Sequence, residues 1–487
     1  MSCMPRFFRI NLVRRLVGQA SVALALVAAL SCAAPARADV KLPKVFGDHM
    51  VLQQKTMAAV WGSADAGEDV TVSIAGVSAT AKAGADGKWQ VKLATPAAGG
   101  PHDLIVKGKN QVTLSDVYFG EVWICSGQSN MQWTVDQSGN PAEEKKNAAF
   151  PLIRMLTVNR VPAEKPVDDI SGQWTVCSPE SAGGLSAVGY YFARKLHQDL
   201  QVPIGMINTS WGGTICEAWT SKEALSADPD FKPILDRSAQ FRPGNPNQAA
   251  VLYNGMVHPL VPYGIRGAIW YQGESNVTRA EQYRKLFPAM IVDWRQRFGQ
   301  GEFPFLFVQL APFKYNHNPV MLAEQWESQT KTLSLPNTGM AVTTDIGDVK
   351  DIHPKNKQEV GRRLALWALA KTYGKNDLVY SGPLYDSQAI DGGKIRIKFK
   401  HVGGGLVARD GKDLTHFTIA GDDRKFVAAK AVIEGDSVVV SSDQVAAPKV
   451  VRFGWDQVAE PNLSNKEGLP ASPFRTDEDK LATAGAK

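Results

Sequence analysis

Ser129 lies in a short polar turn whose composition is compatible with a nucleophile. Residues 126–131 (SGQSNM) follow an apolar run of strand type. Ligands and catalytic groups collect where the strands of a parallel sheet end, and a strand-end serine can point its hydroxyl into the crevice there. Met131 stands where the G-x-S-x-G elbow has its last glycine, so the turn is not that motif. By itself the run indicates only a turn.

His353 is the residue whose position makes Ser129 a candidate nucleophile. A serine hydroxyl needs an adjacent base because it is scarcely ionised alone. Residues 351–354 (DIHP) follow the last apolar strand of the same region, and Pro354 suits a first helical turn. Strand-to-helix loops at one edge of a sheet would bring His353 beside Ser129. The histidine also needs an acceptor on its second ring nitrogen, and Asp351 is the near candidate.

Two further strand ends carry polar turns that could bind an oxyanion. Residues 211–214 (WGGT) and 272–276 (QGESN) each follow an apolar run. Backbone N–H groups and side-chain amides are the usual donors, and one such donor is worth roughly 3–4 kcal/mol in comparable sites. The candidate donors are Gly212, Gly213, Gln272 and Asn276. Four strand ends with polar turns are the layout expected of an acyl-transfer site.

The elements that must position these residues read as a parallel sheet with helices. Apolar strand candidates alternate with helical patterns between about residues 118 and 377, which is typical of α/β proteins. The strand candidates are 122–125, 204–208, 268–271, 305–309 and 340–344. The helix candidates are 186–200 with Ser186 as N-cap, 279–298 and 357–373. We therefore predict a three-layer α/β/α domain with a parallel sheet.

The regions on either side of this domain have the texture of β structure. Short β-type runs with turn signals occupy residues 39–117, and a similar texture returns over 378–487. We expect β-sandwich-like regions at both ends of the α/β domain, which spans 118–377. The last stretch, residues 475–487, is polar and is expected to fray.

Residues 1–38 have the pattern of a cleaved signal peptide. Four arginines precede an almost wholly apolar run over 16–33, and small residues stand before a cut after Ala38. We expect a secreted or periplasmic protein without a membrane span in the mature chain. The net charge of +6 partly reflects the removed arginines, and no later Lys/Arg cluster indicates nucleic acid.

The cysteines point to neither a disulfide framework nor a metal. Cys125, Cys177 and Cys216 remain after cleavage, which permits one disulfide at most, and buried apolar thiols are the expected state. No Cys/His spacing suggests zinc. We expect no metal and no cofactor.

The polar runs together resemble the blocks of the SGNH-type carbohydrate acetylesterases, with the sialate O-acetylesterases as the nearest subfamily. Four runs occur in the same order, namely 127–131 (GQSNM), 211–214 (WGGT), 272–276 (QGESN) and 351–354 (DIHP). The similarity extends to 45–53 (VFGDHMVLQ), 252–256 (LYNGM), 462–465 (NLSN) and 473–475 (PFR), so it covers nearly all of the mature chain.

The resemblance implies an SGNH-type domain with Ser129 as nucleophile, His353 as base and the glycine pair as an oxyanion donor. Lys350 stands where the wider SGNH pattern has an aspartate, and residues 272–274 replace its Gly-x-Asn-Asp block. Asp351 and Glu274 therefore both remain candidates for the acid that orients His353, with Asp351 preferred. The predicted substrate-binding residues are Gln128, Asn130, Met131, Trp211, Tyr253 and Asn254.

The predicted function is that of a secreted serine carbohydrate O-acetylesterase acting on an O-acetylated sugar or glycan. Sialic acid is the substrate that the resemblance implies, and acetylated xylan, xyloglucan or pectin is the alternative. A non-catalytic carbohydrate-binding protein is disfavoured because Ser129 and His353 are both present. A phosphate- or metal-dependent hydrolase lacks the glycine-rich loop and the ligand cluster it would need.

Overall fold

The computed structural model describes residues 39–487. The predicted signal peptide, residues 1–38, lies outside the described residues. Within the described part, no helix is both long enough and apolar enough to cross a membrane.

The N-terminal region is built mostly from antiparallel strands and leads directly into the central sheet. Its strands are β1 (Val51–Gln53), β2 (Met57–Ser63), β3 (Asp69–Ile74), β4 (Val77–Lys82), β5 (Lys88–Ala94), β6 (Gly99–Lys107) and β7 (Gln111–Gly127). The first half of β7 pairs with β6 and its second half with strands of the α/β sheet, so β7 runs across position 117/118, where the sequence places a domain boundary.

The central sheet continues with strands that are parallel except at one edge. They are β8 (Ile153–Val158), β9 (Gly172–Val176), β10 (Ile204–Asn208), β11 (Gly267–Tyr271), β12 (Phe305–Val308) and β13 (Thr338–Ala341). The order is β13-β12-β11-β7-β10-β8-β9, and only β9 is antiparallel to its neighbour. Strand order reverses at β7, which lies between β10 and β11. Ligands of open α/β sheets bind at such a reversal, beyond the carboxyl ends of the strands.

Helices cover both faces of this sheet because its strands are apolar on both sides. All residues of β10 and β11 are buried, and Ile124 and Cys125 of β7 belong to cores on opposite faces. The helices are α1 (Ser129–Gln132), α2 (Pro141–Lys146), α3 (Ala187–Leu200), α4 (Lys222–Ala227), α5 (Lys232–Arg237), α6 (Ala280–Phe298), α7 (Val320–Lys331) and α8 (Lys357–Lys371). The predicted three-layer α/β architecture is confirmed.

Most predicted elements are present, and the last strand of the sheet is displaced. The strand predicted at 340–344 is Thr338–Ala341 instead. Its partner β12 ends at Val308, which pairs with Ala341, so no neighbour remains for residues 342–344. The N-cap prediction holds, since the Ser186 side chain accepts a hydrogen bond from the Gly189 N–H. The three described cysteines are free and buried, as expected.

The C-terminal region is again made of β structure, and its tail is docked. Its strands are β14 (Leu384–Asp391), β15 (Lys394–Lys400), β16 (Leu406–Ala408), β17 (Phe417–Ala420), β18 (Val427–Ala428), β19 (Lys430–Glu434), β20 (Ser437–Ser441), β21 (Val450–Phe453), β22 (Leu463–Asn465) and β23 (Phe474–Arg475). The expectation that 475–487 frays is wrong, because Glu324 of α7 accepts hydrogen bonds from the Ala482 and Thr483 backbone N–H groups.

Candidate active site

Ser129 is presented where β7 ends and α1 begins. Gly127 has φ +134°, and a Cβ there would lie 2.1 Å from the Tyr271 carbonyl oxygen, so only glycine lets β7 pass β11 this closely. The chain then turns, and α1 starts at Ser129. Ser129 is half-buried, and its Oγ lies 2.9 Å from Nε2 of His353. The predicted Ser129–His353 pair is therefore brought together.

His353 is held in a loop ahead of α8 and not in the helix itself. The expectation that Pro354 occupies a first helical turn is wrong, because α8 starts at Lys357 and its N-cap is Asn356, whose side chain accepts from the Glu359 N–H. The imidazole stacks on the Trp133 ring, with centroids 4.3 Å apart and an interplanar angle of 17°. Stacking fixes the plane of the ring that faces Ser129.

Asp351 is the carboxylate next to the second ring nitrogen of His353. Its Oδ1 lies 3.6 Å from Nδ1 and accepts a hydrogen bond of 2.9 Å from the His353 backbone N–H. Its Oδ2 pairs with the Lys355 ammonium at 3.2 Å. Partial burial opposes ionisation, but the hydrogen bonds from His353 and Lys355 outweigh it and hold the pKa of Asp351 below its ordinary value.

Glu274, the other candidate acid, faces a different partner. Its Oε1 accepts a hydrogen bond of 2.5 Å from Nδ2 of Asn130, and its buried Oε2 has no hydrogen-bond partner among residues 39–487. Burial raises the pKa of Glu274. Asn130 also donates to the Ile352 carbonyl at 3.0 Å and accepts from the Lys357 ammonium. Glu274 therefore reaches His353 only through Asn130 and the 352–353 backbone.

The environment of His353 disfavours its charged form. Burial is the largest cause, and the positive charges of Lys357 and Lys355 add to it. The negative charge of Asp351 acts in the opposite direction without cancelling these effects, so the pKa of His353 is lowered. A neutral imidazole at neutral pH is the form that can accept a proton from Ser129.

Three of the four candidate oxyanion donors are engaged elsewhere. The Gly212 N–H donates to Oε1 of Gln132 at 2.7 Å. The Gln272 amide donates to the Thr214 carbonyl and to Oδ1 of Asn276, and the Asn276 amide donates to Glu217. The oxyanion assignment of Gln272 and Asn276 is thereby corrected to a structural one, because their donors already satisfy buried acceptors.

Backbone donors remain open at Ser129 and in the adjacent glycine turn. Within the described chain, the N–H groups of Ser129 and Gly213 have no protein acceptor. Ser129 begins α1, and the first N–H groups of a helix have no partner inside it. Gly212 packs against Ser129, because a Cβ on Gly212 would lie 3.2 Å from the serine Cβ. The glycine turn thus lies beside the candidate nucleophile.

Most residues predicted to bind substrate are structural. Met131 is fully buried in the core, and Tyr253 is also buried. Gln128 accepts from the Gly273 N–H at 3.3 Å, and Asn254 donates to the Ala163 and Glu164 carbonyls. These four assignments are corrected, because side chains committed to the interior do not reach a sugar. Asn130, described above, is likewise buried, and Trp211 alone of the six is partly exposed.

Lys357, like Lys355, is a residue of this site that the sequence did not single out. It is fully buried, and burial lowers its pKa to about 7, with partial compensation by Glu274. A signal was available in the pattern of α8, where Lys357 shares one face with Val360, Gly361, Leu364 and Ala368 at helical spacing. A lysine on an apolar face is buried unless the helix turns that face to water.

No group of three or more His, Cys, Asp or Glu side chains within residues 39–487 is arranged to hold a metal ion. A groove of about 750 Å³ runs between the N-terminal β region and residues 258–262, away from Ser129 and His353. Ser129 and His353 are both partly exposed, at the edge of the sheet where β7 ends.

Comparison with known proteins places these features in context. Residues 119–370 match the family model described as "Carbohydrate esterase, sialic acid-specific acetylesterase". Human sialate O-acetylesterase is 38% identical over 381 residues, 69% of this chain and 72% of the relative. The rat enzyme is 36% identical over 402 residues, 69% and 74% respectively. A crystal structure of a carbohydrate acetylesterase from Xanthomonas citri aligns with a TM-score of 0.85 at 41% identity, covering 91% of this chain and all of that one.

Proposed function

Since the chain belongs to the family of sialic acid-specific carbohydrate acetylesterases and is a carboxylic ester hydrolase, we propose that it is exported and deacetylates O-acetylated sugars through an acetyl-serine intermediate. The observation that carries the mechanism is the 2.9 Å separation of Ser129 Oγ and His353 Nε2. This is the distance over which a base takes the proton of a nucleophile.

The first half-reaction acylates Ser129. His353 Nε2 takes the hydroxyl proton as Oγ attacks the acetyl carbonyl carbon, and a tetrahedral oxyanion forms. The bond to the sugar oxygen then breaks, and Nε2 returns its proton to that oxygen, which leaves as a hydroxyl. The Asp351 carboxylate stabilises the positive charge of the transient imidazolium on the Nδ1 side without taking its proton, which the 3.6 Å separation and the lowered pKa of Asp351 support.

The second half-reaction releases acetate. A water molecule gives a proton to His353 Nε2 and attacks the acetyl carbonyl, and Ser129 recovers its proton as acetate leaves. The N–H groups of Ser129 and Gly213 are the oxyanion donors in both halves. Their lack of protein acceptors in the described chain supports this assignment, because a preorganised free donor costs no rearrangement when charge develops.

The proposed substrate is an O-acetylated sialic acid, as in the relatives named above, and export follows from the pattern of residues 1–38. A panel of acetylated sialic acids, xylan, xyloglucan and pectin, with acetate release as the readout, tests the sugar. Acetate release from the plant polymers alone would show that these polymers, and not sialic acid, carry the substrate. Recovery of a mature protein that begins after Ala38 outside the cytoplasm tests export, and an uncleaved internal protein would contradict it.

The mechanism is tested by Ser129→Ala with p-nitrophenyl acetate as substrate. We expect kcat to fall by about 10³-fold or more, because the hydroxyl that His353 Nε2 contacts is then missing. Wild-type turnover should be unchanged by a chelator. Near-normal activity of Ser129→Ala, or loss of wild-type activity with the chelator, would refute the serine mechanism.

A further inference from the structure

A buried polar cluster lies beneath the Ser129–His353 pair. It consists of Asn130, Lys357 and the carboxylate of Glu274. Asn130 is 1% exposed and Lys357 is fully buried, and Oε2 of Glu274 is enclosed. Burying an ammonium and a carboxylate is costly unless each has hydrogen-bonded partners, so such a cluster needs an explanation beyond packing.

Asn130 joins three segments of the active site through one side-chain amide. Its Oδ1 accepts from the Lys357 ammonium at the start of α8. Its Nδ2 donates to the Ile352 carbonyl at 3.0 Å, one residue before His353, and to Glu274 at 2.5 Å, just beyond β11. Asn130 itself follows Ser129 in the chain. The amide thus uses its acceptor and both donors to connect the turn that carries Ser129 with the loop that carries His353 and with the turn after β11.

The position of Lys357 is fixed by helix packing and not by its own hydrogen bond alone. Gly361, one turn further along α8, has so little space that a Cβ would lie 2.6 Å from Cβ of Tyr191 in α3. This close approach fixes the position of α8 relative to α3. The Lys357 ammonium consequently lies over the Tyr271 ring, 5.1 Å from its centroid, and against Asn130.

We propose that Asn130, Glu274 and Lys357 form a positioning cluster that holds His353 against Ser129, with the Lys357 ammonium as an internal positive charge that opposes protonation of His353. This inference rests on the proposed serine mechanism and names residues that act through His353 without touching substrate. Glu274 then serves as the hydrogen-bond acceptor and counter-charge of the cluster, and not as the acid that orients the imidazole.

The charges that face the cluster and His353 come from several elements. Lys355 and Asp351 lie on the histidine loop, Lys357 begins α8, and Glu274 follows β11. The phenols of Tyr271 and Tyr315 also face Glu274. Of the two lysines, Lys357 has the larger effect on the pKa of His353, because Lys355 is exposed and its field is screened by water.

The first experiment compares Lys357→Met with Lys355→Met in pH profiles of kcat/KM. Loss of the buried charge should raise the midpoint of the acidic limb by roughly 0.5–1 pH unit, as expected for removal of a nearby like charge. Lys355→Met is the matched control and should move the midpoint less. The shift of Lys357→Met should persist at high salt, whereas that of Lys355→Met should shrink. A folded Lys357→Met protein with an unmoved limb would overturn the electrostatic part of the proposal.

The second experiment compares Glu274→Gln with Glu274→Leu, and it decides the case if Lys357→Met does not fold. Glutamine keeps an acceptor for Asn130, whereas leucine leaves a buried donor unpaired. We expect Glu274→Leu to lose about tenfold more kcat than Glu274→Gln, with KM unchanged in both. Equal losses would overturn the positioning role. If Ser129→Ala is inactive while the two Glu274 variants lose kcat equally, the serine mechanism stands and only the positioning cluster is rejected.

Discussion

The charged side chains around His353 fall into two groups that differ in their access to water. Asp351 and Lys355 form an ion pair whose side chains are 37% and 55% exposed. Lys357 and the carboxylate of Glu274 are enclosed and meet through Asn130. An exposed ion pair contributes about 0–1 kcal/mol to stability, whereas breaking a buried one costs several kcal/mol. The exposed group is therefore free to serve the reaction, and the buried group is suited to fix the geometry.

This difference predicts that both groups affect activity but that only the buried group affects stability. Removing a charge from the exposed group should reduce turnover without affecting the folded state. Removing a partner from the buried group should also reduce the free energy of unfolding, because a neighbour is left buried and unsatisfied.

The largest of the effects that separate the two groups is expected for Asp351→Asn. Without the carboxylate, the imidazolium that forms in each half-reaction loses its nearest counter-charge, and kcat should fall by about 10²–10⁴-fold. The melting temperature should stay close to that of the wild type, since Asp351 is partly exposed. Thermal unfolding and kcat measured on one preparation check both expectations.

Glu274→Gln is the comparison that can break this assignment. If Glu274 oriented His353, its amide variant would lose as much kcat as Asp351→Asn or more. The structure favours the reverse order, because Glu274 contacts Asn130 and Asp351 lies 3.6 Å from Nδ1. A larger loss in Glu274→Gln than in Asp351→Asn would exchange the roles of the two groups.

The sequence was sufficient to identify Ser129, His353 and Asp351 and insufficient to identify the two lysines near them. Ser129 stands in the turn directly after β7, and Asp351 and His353 stand in the connection between β13 and α8. Parallel strands place such connections at one edge of the sheet without further information. The burial of Lys357 could not be predicted without knowing which face of α8 packs against the sheet. Gln272 and Asn276 look like free donors in the sequence, but whether an amide is already bound depends on neighbours as distant in the chain as Glu217.

The fold, too, could be predicted where the signal lies within one segment of the chain, and not where it depends on a partner segment. The strands 204–208 and 268–271 are buried runs bounded by turns, so periodicity and length identify them. The displacement of the last strand to Thr338–Ala341 is set by where β12 ends, which is a property of the partner. The docking of Thr483 on Glu324 likewise depends on a carboxylate remote in the chain.

A smaller loss of kcat is expected on substitution of Trp133, whose ring lies near lysines of both groups. It stacks on His353 and lies 4.5 Å from the Lys355 ammonium and 6.0 Å from that of Lys357. Such stacked pairs are worth about 0.5–1.5 kcal/mol, so Trp133→Ala should lose about two- to tenfold in kcat. Trp133→Phe keeps a ring against the imidazole and should lose less. Equal losses in the two variants would show that stacking does not hold His353.

The smallest effect is expected in the pH profile of the wild-type enzyme, where the midpoint of the acidic limb should differ from the ordinary pKa of histidine. The buried group sets the direction of that difference. His353 acts as a base only when neutral, so activity falls as pH drops through its pKa. Burial and the charges of Lys357 and Lys355 lower that pKa, and the limb should therefore lie below the ordinary value of about 6.5. A profile of kcat/KM at low and high salt measures it. High salt should move the midpoint only slightly, because it screens the opposing charges of Asp351 and Lys355 together and leaves Lys357 largely unscreened. A midpoint above 6.5 would mean that Asp351 dominates, and the exposed group would then control the protonation of His353.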